Sequence, residues 1–125
     1  MIGSHHRLFR LKTWLVRTLI PQRLAGTYLL YREAGPIYAG RSDEDLRSRL
    51  IDHAQAERAD YFGFSVYADA ARAFDMECAL FHQLDKATNL IHPASPKGSR
   101  RPCFICGKGA NYFQRFTATE SPLDP

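Results

Sequence analysis

The first hydrophobic pattern in the chain, between His5 and Ile20, is typical of a helix with one apolar stripe. Apolar residues recur there every three or four positions, and Arg10 and Arg17 fall on the opposite side. Pro21 ends the pattern, and charged residues interrupt the apolar stretch that a secretory signal would need. Three roles stay open for this helix: docking on the domain, gripping nucleic acid as a basic arm, or lying on a membrane surface.

Three short segments rich in aromatic and β-branched residues predict strands. Residues 26–32 and 36–41 lie on either side of Glu33-Ala34-Gly35, which predicts a hairpin. Residues 61–67 alternate large apolar side chains with other residues, as a half-buried strand does. The sequence therefore predicts a small antiparallel sheet of about three strands.

Two helices are predicted beside this sheet, which makes the fold class α+β. The first begins after Ser42, a good N-cap followed by acidic residues, and extends to about Arg58. The second runs from Ala68 to about Asp85. Beyond Ile91, Pro, Gly, Ser and basic residues predict a loop-rich tail. We therefore expect a basic N-terminal helix at 1–25, a core domain at 26–92 and a basic tail at 93–125.

The composition excludes several classes of protein. The 125 residues are 45% hydrophobic and 24% charged, which is ordinary for one globular domain and unlike disordered, collagenous or coiled-coil chains. The longest apolar runs span a few residues, whereas a transmembrane helix needs about 20. Three cysteines are too few for a disulfide scaffold and indicate a reducing compartment, so we expect a cytoplasmic protein.

The formal charge of +4 is distributed unevenly along the chain. Residues 1–25 hold five basic and no acidic groups, residues 26–90 seven and eleven, and residues 91–125 five and two. Basic flanks either bind a polyanion or only keep the chain in solution. If they bind DNA phosphates, we expect the contacts to come from Arg7, Arg10 and Arg17 and from Lys97, Arg100 and Arg101.

Glu77 is the most unusual residue in the second predicted helix. At about 100° per residue, Phe74, Phe81 and Leu84 form one apolar arc of roughly 80° on the helix, and Glu77 falls inside that arc. Burying an unpaired carboxylate is costly, so Glu77 must be paired, protonated or bound to a cation. It is therefore either half of a structural ion pair with an arginine, or a metal ligand or catalytic acid in a cleft.

Arg49 and His53 lie four residues apart and therefore on one face of the first predicted helix. An arginine there can hold a carboxylate or a phosphate, and a histidine can donate a hydrogen bond or transfer a proton. Taken alone, the pair favours a structural Arg–Glu link with a hydrogen-bonded histidine.

Two tripeptides in the predicted hairpin resemble the motifs that name the GIY-YIG nuclease superfamily. Gly26-Thr27-Tyr28 and Tyr38-Ala39-Gly40 place their tyrosines ten residues apart. Thr27 and Ala39 replace the usual isoleucines, but as middle residues they should face away from the tyrosines. Arg41 stands where the repair-incision branch of the family carries a lysine, and it preserves the positive charge.

The resemblance continues through residues 26–89, about half of the chain. Arg49 followed by His53 is similar to the Arg-x3-His arrangement of the restriction and homing endonuclease branches. Glu77 is similar to the metal-binding glutamate of the family, and Asn89 to the asparagine that closes its core. One such motif would be weak, whereas the ordered set is specific.

The resemblance implies a metal-dependent endonuclease that hydrolyses phosphodiester bonds in DNA, including structured or single-stranded DNA. Glu77 is the single carboxylate of the motif set, which favours one Mg²⁺ or Mn²⁺ that keeps several waters. The chain has little room for a separate sequence-reading domain, so we expect help from a protein partner, and no membrane partner. The alternative is a nucleic-acid-binding or interaction domain that keeps the fold without cutting.

The family's site residues carry over one by one. Arg49 would contact the scissile phosphate, with Arg41 as a second clamp. Tyr28 or Tyr38 would activate or position the attacking water, with His53 assisting. A tyrosine has an ordinary pKa of about 10, so nearby positive charge must lower it if the residue is to act as a base. Supporting roles fall to Gly26, Gly40 and Asn89.

The two tyrosines can share a cleft only if the hairpin register places them on one face of the sheet. Because side chains alternate, the numbers of paired residues must then sum to an even number. This predicts a connecting loop of three or five residues, as when Arg32 pairs with Pro36. A two-residue turn closing Glu33 to Pro36 would put the tyrosines on opposite faces.

Cys103-x2-Cys106-Gly107 resembles half of a zinc knuckle, which would need two further ligands. Nothing downstream supplies them. Cys78 and His92 could complete a site, but we favour a reduced pair of cysteines in the tail.

Overall fold

The computed structural model describes residues 7–84 and 91–107, so Asn89 lies outside the described residues. Within these ranges, strands and helices follow one another as β1 (Phe9–Arg10), α1 (Thr13–Leu19), β2 (Ala25–Arg32), β3 (Gly35–Ser42), α2 (Leu46–Gln55), β4 (Tyr61–Tyr67) and α3 (Ala70–Gln83). The predicted α+β class is confirmed.

The sheet has four antiparallel strands rather than the predicted three, in the order β1-β4-β2-β3. The additional strand is β1, in which Phe9 pairs with Phe62 and Arg10 with Tyr61. The prediction of one helix from His5 to Ile20 is therefore wrong between Arg7 and Lys12, since α1 begins at Thr13, and His5 and His6 lie outside the described residues. A strand of two residues is too short for its alternation to be seen beside a stronger helical pattern.

The N-terminal segment packs into the core of the domain. Leu11, Val16 and Ile20 are buried in the same cluster as Leu30 and Leu50. Of the three roles left open for this segment, docking on the domain is the one that its contacts establish. No helix among the described residues is long and apolar enough to cross a membrane.

The two longer helices begin at aspartate caps. The Asp45 side chain accepts a hydrogen bond from Ser48 N at 3.3 Å, and Asp69 accepts one from Arg72 N at 2.9 Å. Ser42, which we predicted to be the N-cap of α2, instead accepts a bond from Asp45 N at 2.9 Å and closes the turn before the helix. The predicted helix was therefore too long at both ends, since α2 also stops at Gln55.

The β2-β3 hairpin has a two-residue turn, because Arg32 pairs with Gly35. Our prediction of a three- or five-residue loop is therefore wrong. Continued without interruption, this register would place Tyr28 and Tyr38 on opposite faces of the sheet.

A β-bulge restores the register that the tyrosines need. Tyr31 pairs with Pro36 but Leu30 pairs with Tyr38, so Ile37 is an extra residue in β3. Beyond the bulge Tyr28 pairs with Gly40, and the two tyrosines lie on the same face. The prediction that they share a face is confirmed, although by a different device.

Helices cover both faces of the sheet. Tyr28 and Leu30 face α1 and α2, with which they form the main core. Thr27 and Ala39 alternate to the other face, are almost fully buried, and lie on the side where α3 packs. A smaller cluster there joins Phe74 and Cys78 of α3 to Cys103, so the segment after α3 belongs to this layer.

Candidate functional site

Tyr28 lies flat against β3 because Gly40 has no side chain. Tyr28 is 1% exposed, and a Cβ added at Gly40 would overlap its ring. A Cβ at Gly26 would overlap the carbonyl oxygen of Ser65 and the side chain of Leu46. Both motif glycines therefore have a packing reason, in keeping with the supporting role predicted for them.

His53 of α2 connects Tyr28 to Arg58. Its Nε2 lies 2.7 Å from the Tyr28 hydroxyl, and its Nδ1 lies 3.0 Å from Arg58 Nη1. A guanidinium can only donate, so Nδ1 must accept, and the proton of the neutral ring is on Nε2. His53 therefore donates to the Tyr28 oxygen. Burial, followed by the charges of Arg58 and Arg49, lowers the pKa of His53 to about 4.

Tyr38 is the more accessible tyrosine of the pair. It is 38% exposed, and its ring centroid lies 6.1 Å from that of Tyr28 and 6.0 Å from that of His53. Burial, and then the charge of Glu77, raises the pKa of Tyr38. Burial also raises the pKa of Tyr28, so neither hydroxyl is ionised at neutral pH in the free protein.

Arg49 lies one helical turn before His53 and is exposed. Its charge lowers the pKa of both tyrosines against the effect of burial. The guanidinium is therefore both close to the tyrosines and open to solvent, and its use as a phosphate-binding group stays a prediction.

Glu77 forms a largely buried ion pair with Arg41. Arg41 Nη1 donates to Glu77 Oε1 at 2.9 Å, and the two side chains are 10% and 14% exposed. The structural pair that the sequence left open is thus present, with Arg41 rather than Arg49 as the partner. Burial raises the pKa of Glu77 to about 7, even though Arg41 favours the carboxylate.

Glu77 approaches the tyrosines from the opposite side of the sheet. Arg41 pairs with Thr27 in the register, lies in the edge strand β3 and points toward α3. The charge of Glu77 contributes to the raised pKa of both Tyr28 and Tyr38. The carboxylate is therefore within electrostatic range of the tyrosine face.

Arg41 is held by several partners besides Glu77. Its guanidinium donates to both carboxylate oxygens of Asp43 and, at 2.7 Å, to the carbonyl of Ala94, and it lies 5.2 Å from the Phe74 ring centroid. These contacts explain how Arg41 positions Glu77. Its use as a second phosphate clamp stays a prediction.

The oxygen donors at this site suit a hard divalent cation. Glu77 would supply one carboxylate ligand to Mg²⁺ or Mn²⁺, which normally keep several waters. Asp43 contributes to raising the pKa of Glu77 and is the second acidic group on Arg41. Asp43 and Arg58 gave no signal in the sequence, because neither belongs to a motif and both reach the site through loops after their elements.

The six basic residues assigned to DNA phosphates differ in their surroundings. Arg101 is bound bidentately by Asp75, with bonds of 2.9 and 2.7 Å, so its charge is already compensated. The others lie at the exposed surface of the described residues, namely Arg7, Arg10, Arg17, Lys97 and Arg100.

Comparisons of the chain with protein-family models, curated proteins and solved structures find no match.

Proposed function

We propose that this protein is a metal-dependent endonuclease that hydrolyses phosphodiester bonds in DNA. One observation carries the proposal: the hydrogen-bonded chain from Tyr28 through His53 to Arg58 lies beside Tyr38 and Arg49, within range of Glu77. These residues come from separate strands and helices. They combine the Tyr38 hydroxyl, a phosphate-binding arginine (Arg49) and a carboxylate (Glu77).

In this proposal Tyr38 is the tyrosine that contacts the attacking water, since it is the accessible one of the pair. Arg49 binds the scissile phosphate and stabilises the charge that develops on it. Its positive charge also favours ionisation of Tyr38. A divalent ion bound to Glu77 would supply further positive charge beside the reacting phosphate and lower the pKa of a bound water.

His53 acts as a positioning residue. Its Nε2–H donates to Tyr28, whose ring packs near that of Tyr38. Because Arg58 occupies Nδ1, the resting histidine is a donor to Tyr28 and not a base for it. In its assisting role, His53 therefore orients the pair of tyrosines and excludes water from the buried side of that pair.

The alternative function is DNA binding without cleavage. Two observations favour it: Arg41 already neutralises Glu77, and burial raises the pKa of both tyrosines. A chain with these features could retain the basic surface and the fold while the chemistry is lost.

The deciding experiment is nicking of supercoiled plasmid DNA with Mg²⁺ or Mn²⁺. We expect wild-type protein to nick, and Glu77→Gln and Arg49→Ala each to lower the rate by about a hundredfold or more. Glutamine at 77 can still accept the bond from Arg41, so the fold is preserved. Arg47→Ala is the matched control on α2, because Arg47 lines a groove with Arg17 and Gln22 and not the tyrosine face.

Equal nicking by all four proteins would indicate a contaminating nuclease and overturn the proposal. Metal-independent DNA binding by wild-type protein, with no nicking by any of the four, would establish the alternative.

A further inference from the structure

Two histidines and two cysteines converge at the C-terminal end of α3. One ligand atom from each of His82, His92, Cys103 and Cys106 lies within 4.8 Å of the other three. His92 and Cys103 are buried, and His82 and Cys106 are exposed, so the cluster is at the surface with one closed side. None of these residues takes part in the tyrosine site.

The spacing of these atoms suits a tetrahedral zinc ion. Bond lengths of about 2.3 Å to sulfur and about 2.0 Å to nitrogen place the two ligand types about 3.5 Å apart across a tetrahedral angle. Cys103 Sγ lies 3.5 Å from His82 Nε2, and Cys106 Sγ lies 3.4 Å from His92 Nε2. The cluster therefore has the dimensions of a Cys₂His₂ site.

His92 already has the orientation of a metal ligand. Its Nδ1 lies 2.9 Å from the carbonyl oxygen of Pro93, and because a carbonyl only accepts, the proton is on Nδ1. The lone pair of Nε2 then points toward the cysteines. Zinc-bound histidines almost always donate their other ring N–H to a carbonyl or carboxylate in this way.

The loop from Cys103 to Gly107 has the geometry that a two-cysteine zinc loop needs. Ile105 N donates to Cys103 Sγ at 3.4 Å, which favours the thiolate, and Gly107 N donates to the Cys103 carbonyl at 2.8 Å. Gly107 has φ +79°, in the left-handed region that favours glycine. The tight turn brings both sulfurs to one side.

We propose that His82, His92, Cys103 and Cys106 bind one Zn²⁺ as a closed structural site. Four protein ligands leave no position for a substrate, and two soft thiolates with two imidazoles select zinc over Mg²⁺ or Mn²⁺. The proposal is independent of the endonuclease function, whose carboxylate, Glu77, is not in the cluster.

Zinc at this site would fasten the segment 91–107 to α3. That segment supplies Ala94, whose carbonyl accepts from Arg41, and Arg101, which pairs with Asp75 of α3. The metal would therefore hold one of the partners that position Arg41, and through Arg41 it would support Glu77. Loss of zinc should loosen this layer of the fold without removing any residue of the tyrosine face.

The sequence contained part of this signal. The Cys-x2-Cys-Gly segment offers two ligands, and Cys78 with His92 is the completion that the sequence allows, although it favours a reduced pair of cysteines. The fold keeps His92 in the cluster but supplies His82 from the last turn of α3 in place of Cys78. Cys78 instead packs with Phe74 and Cys103 in the small core cluster.

The test is metal binding by the full chain, read out by zinc content and by the absorption spectrum after replacement with Co²⁺. We expect about one zinc per chain, with tetrahedral Co²⁺ bands and thiolate charge-transfer absorption. Cys106→Ser and His82→Ala should lose the stoichiometric zinc and the tetrahedral spectrum, and they should lower the melting temperature. Glu77→Gln should bind as much zinc as wild type, whatever the nicking assays show.

Two controls separate this site from other metal-binding groups. Cys78→Ala removes a thiol outside the cluster and should keep the full spectrum, and replacing both His5 and His6 by alanine should leave the zinc content unchanged. His82→Cys keeps four ligands, so it should retain zinc and increase the charge-transfer absorption through a third thiolate. It decides the question even if Cys106→Ser does not fold.

Zinc content no higher in wild type than in Cys106→Ser would overturn the proposal. Loss of the Co²⁺ spectrum in Cys78→Ala but not in His82→Ala would also overturn it, because the ligand set would then be a different one.

Discussion

His53 and Glu77 are two buried titratable residues that make the stability of the fold change with pH in opposite directions. The pKa of His53 is about 4 in the folded protein, against 6.5 for the free side chain, and that of Glu77 is about 7, against 4.5. Between the folded and unfolded pKa of His53, the unfolded chain binds more protons at that residue. Between the two pKa values of Glu77, the folded chain binds more protons there. By linkage, His53 makes stability rise with pH from about 4 to 6.5, and Glu77 makes it fall from about 4.5 to 7.

The two contributions should separate in single variants. We expect the stability of Glu77→Gln to rise more steeply with pH than that of wild type over the acidic range, because the opposing contribution of Glu77 is removed. His53→Asn should show the reverse, a fall in stability toward neutral pH. Urea unfolding of the three proteins at several pH values measures this, and differences from wild type cancel contributions that all three share. Parallel profiles would contradict both assignments.

Glu77 also predicts the pH dependence of nicking. A carboxylate must lose its proton to bind a cation, and burial raises the pKa of Glu77 to about 7. The nicking rate should therefore rise with pH through neutrality, and the midpoint should move to lower pH as Mg²⁺ is increased, because the cation competes with the proton. Initial rates across a matrix of pH and Mg²⁺ concentration measure this. A midpoint that does not respond to Mg²⁺ would assign the titration to another group.

At the scale of the secondary structure elements, the hairpin places the catalytic tyrosines of our proposal. The alternating pattern and the two tripeptides were sufficient to predict β2, β3 and the shared face. The bulge at Ile37 and the two-residue turn were not predictable, because several combinations of turn and bulge satisfy the same alternation. Packing of Tyr28 and Leu30 on α2 selects among them.

Gly40 should be far less tolerant of a side chain than Gly63. Alanine at 40 would overlap the Tyr28 ring, and such overpacking typically costs about 1–3 kcal/mol. At Gly63 the nearest atom to an added Cβ is the Arg7 carbonyl oxygen at 3.5 Å, an ordinary contact. We expect Gly40→Ala to lower the free energy of unfolding and the nicking rate, and Gly63→Ala to leave both close to wild type, as measured by urea unfolding and plasmid nicking. Equal effects of the two variants would show that Tyr28 does not depend on Gly40.

Across the molecule, the N-terminal flank packs into the core and still keeps basic groups at the surface, so docking and phosphate binding need not exclude each other. Its apolar side fills the core through Leu11, Val16 and Ile20, while Arg10 and Arg17 stay exposed. Deleting the segment would therefore test folding rather than DNA binding. Point substitutions of the exposed arginines test DNA binding and leave the apolar residues that support folding in place.

Replacing Arg7, Arg10 and Arg17 together by alanine should reduce the salt dependence of DNA binding. The slope of log affinity against log salt concentration should fall by about one for each phosphate contact removed. Arg101→Ala is the matched control and should change the slope little, because Asp75 already compensates that charge. Binding titrations at several salt concentrations measure both. A triple variant with the wild-type slope would leave this flank with a structural role alone.

Local periodicity and short ordered motifs were enough to predict the α+β class, the three longer strands, the two main helices and the motif residues of the candidate site, although not Asp43 or Arg58. Three contacts become visible only in the folded chain: Arg41 pairs with Glu77, Arg58 sets the tautomer of His53, and His82 joins His92 and the two cysteines. Each of these contacts joins residues whose separation in space is set by how the elements pack. Periodicity along the chain carries no information on that packing, since it describes each element alone.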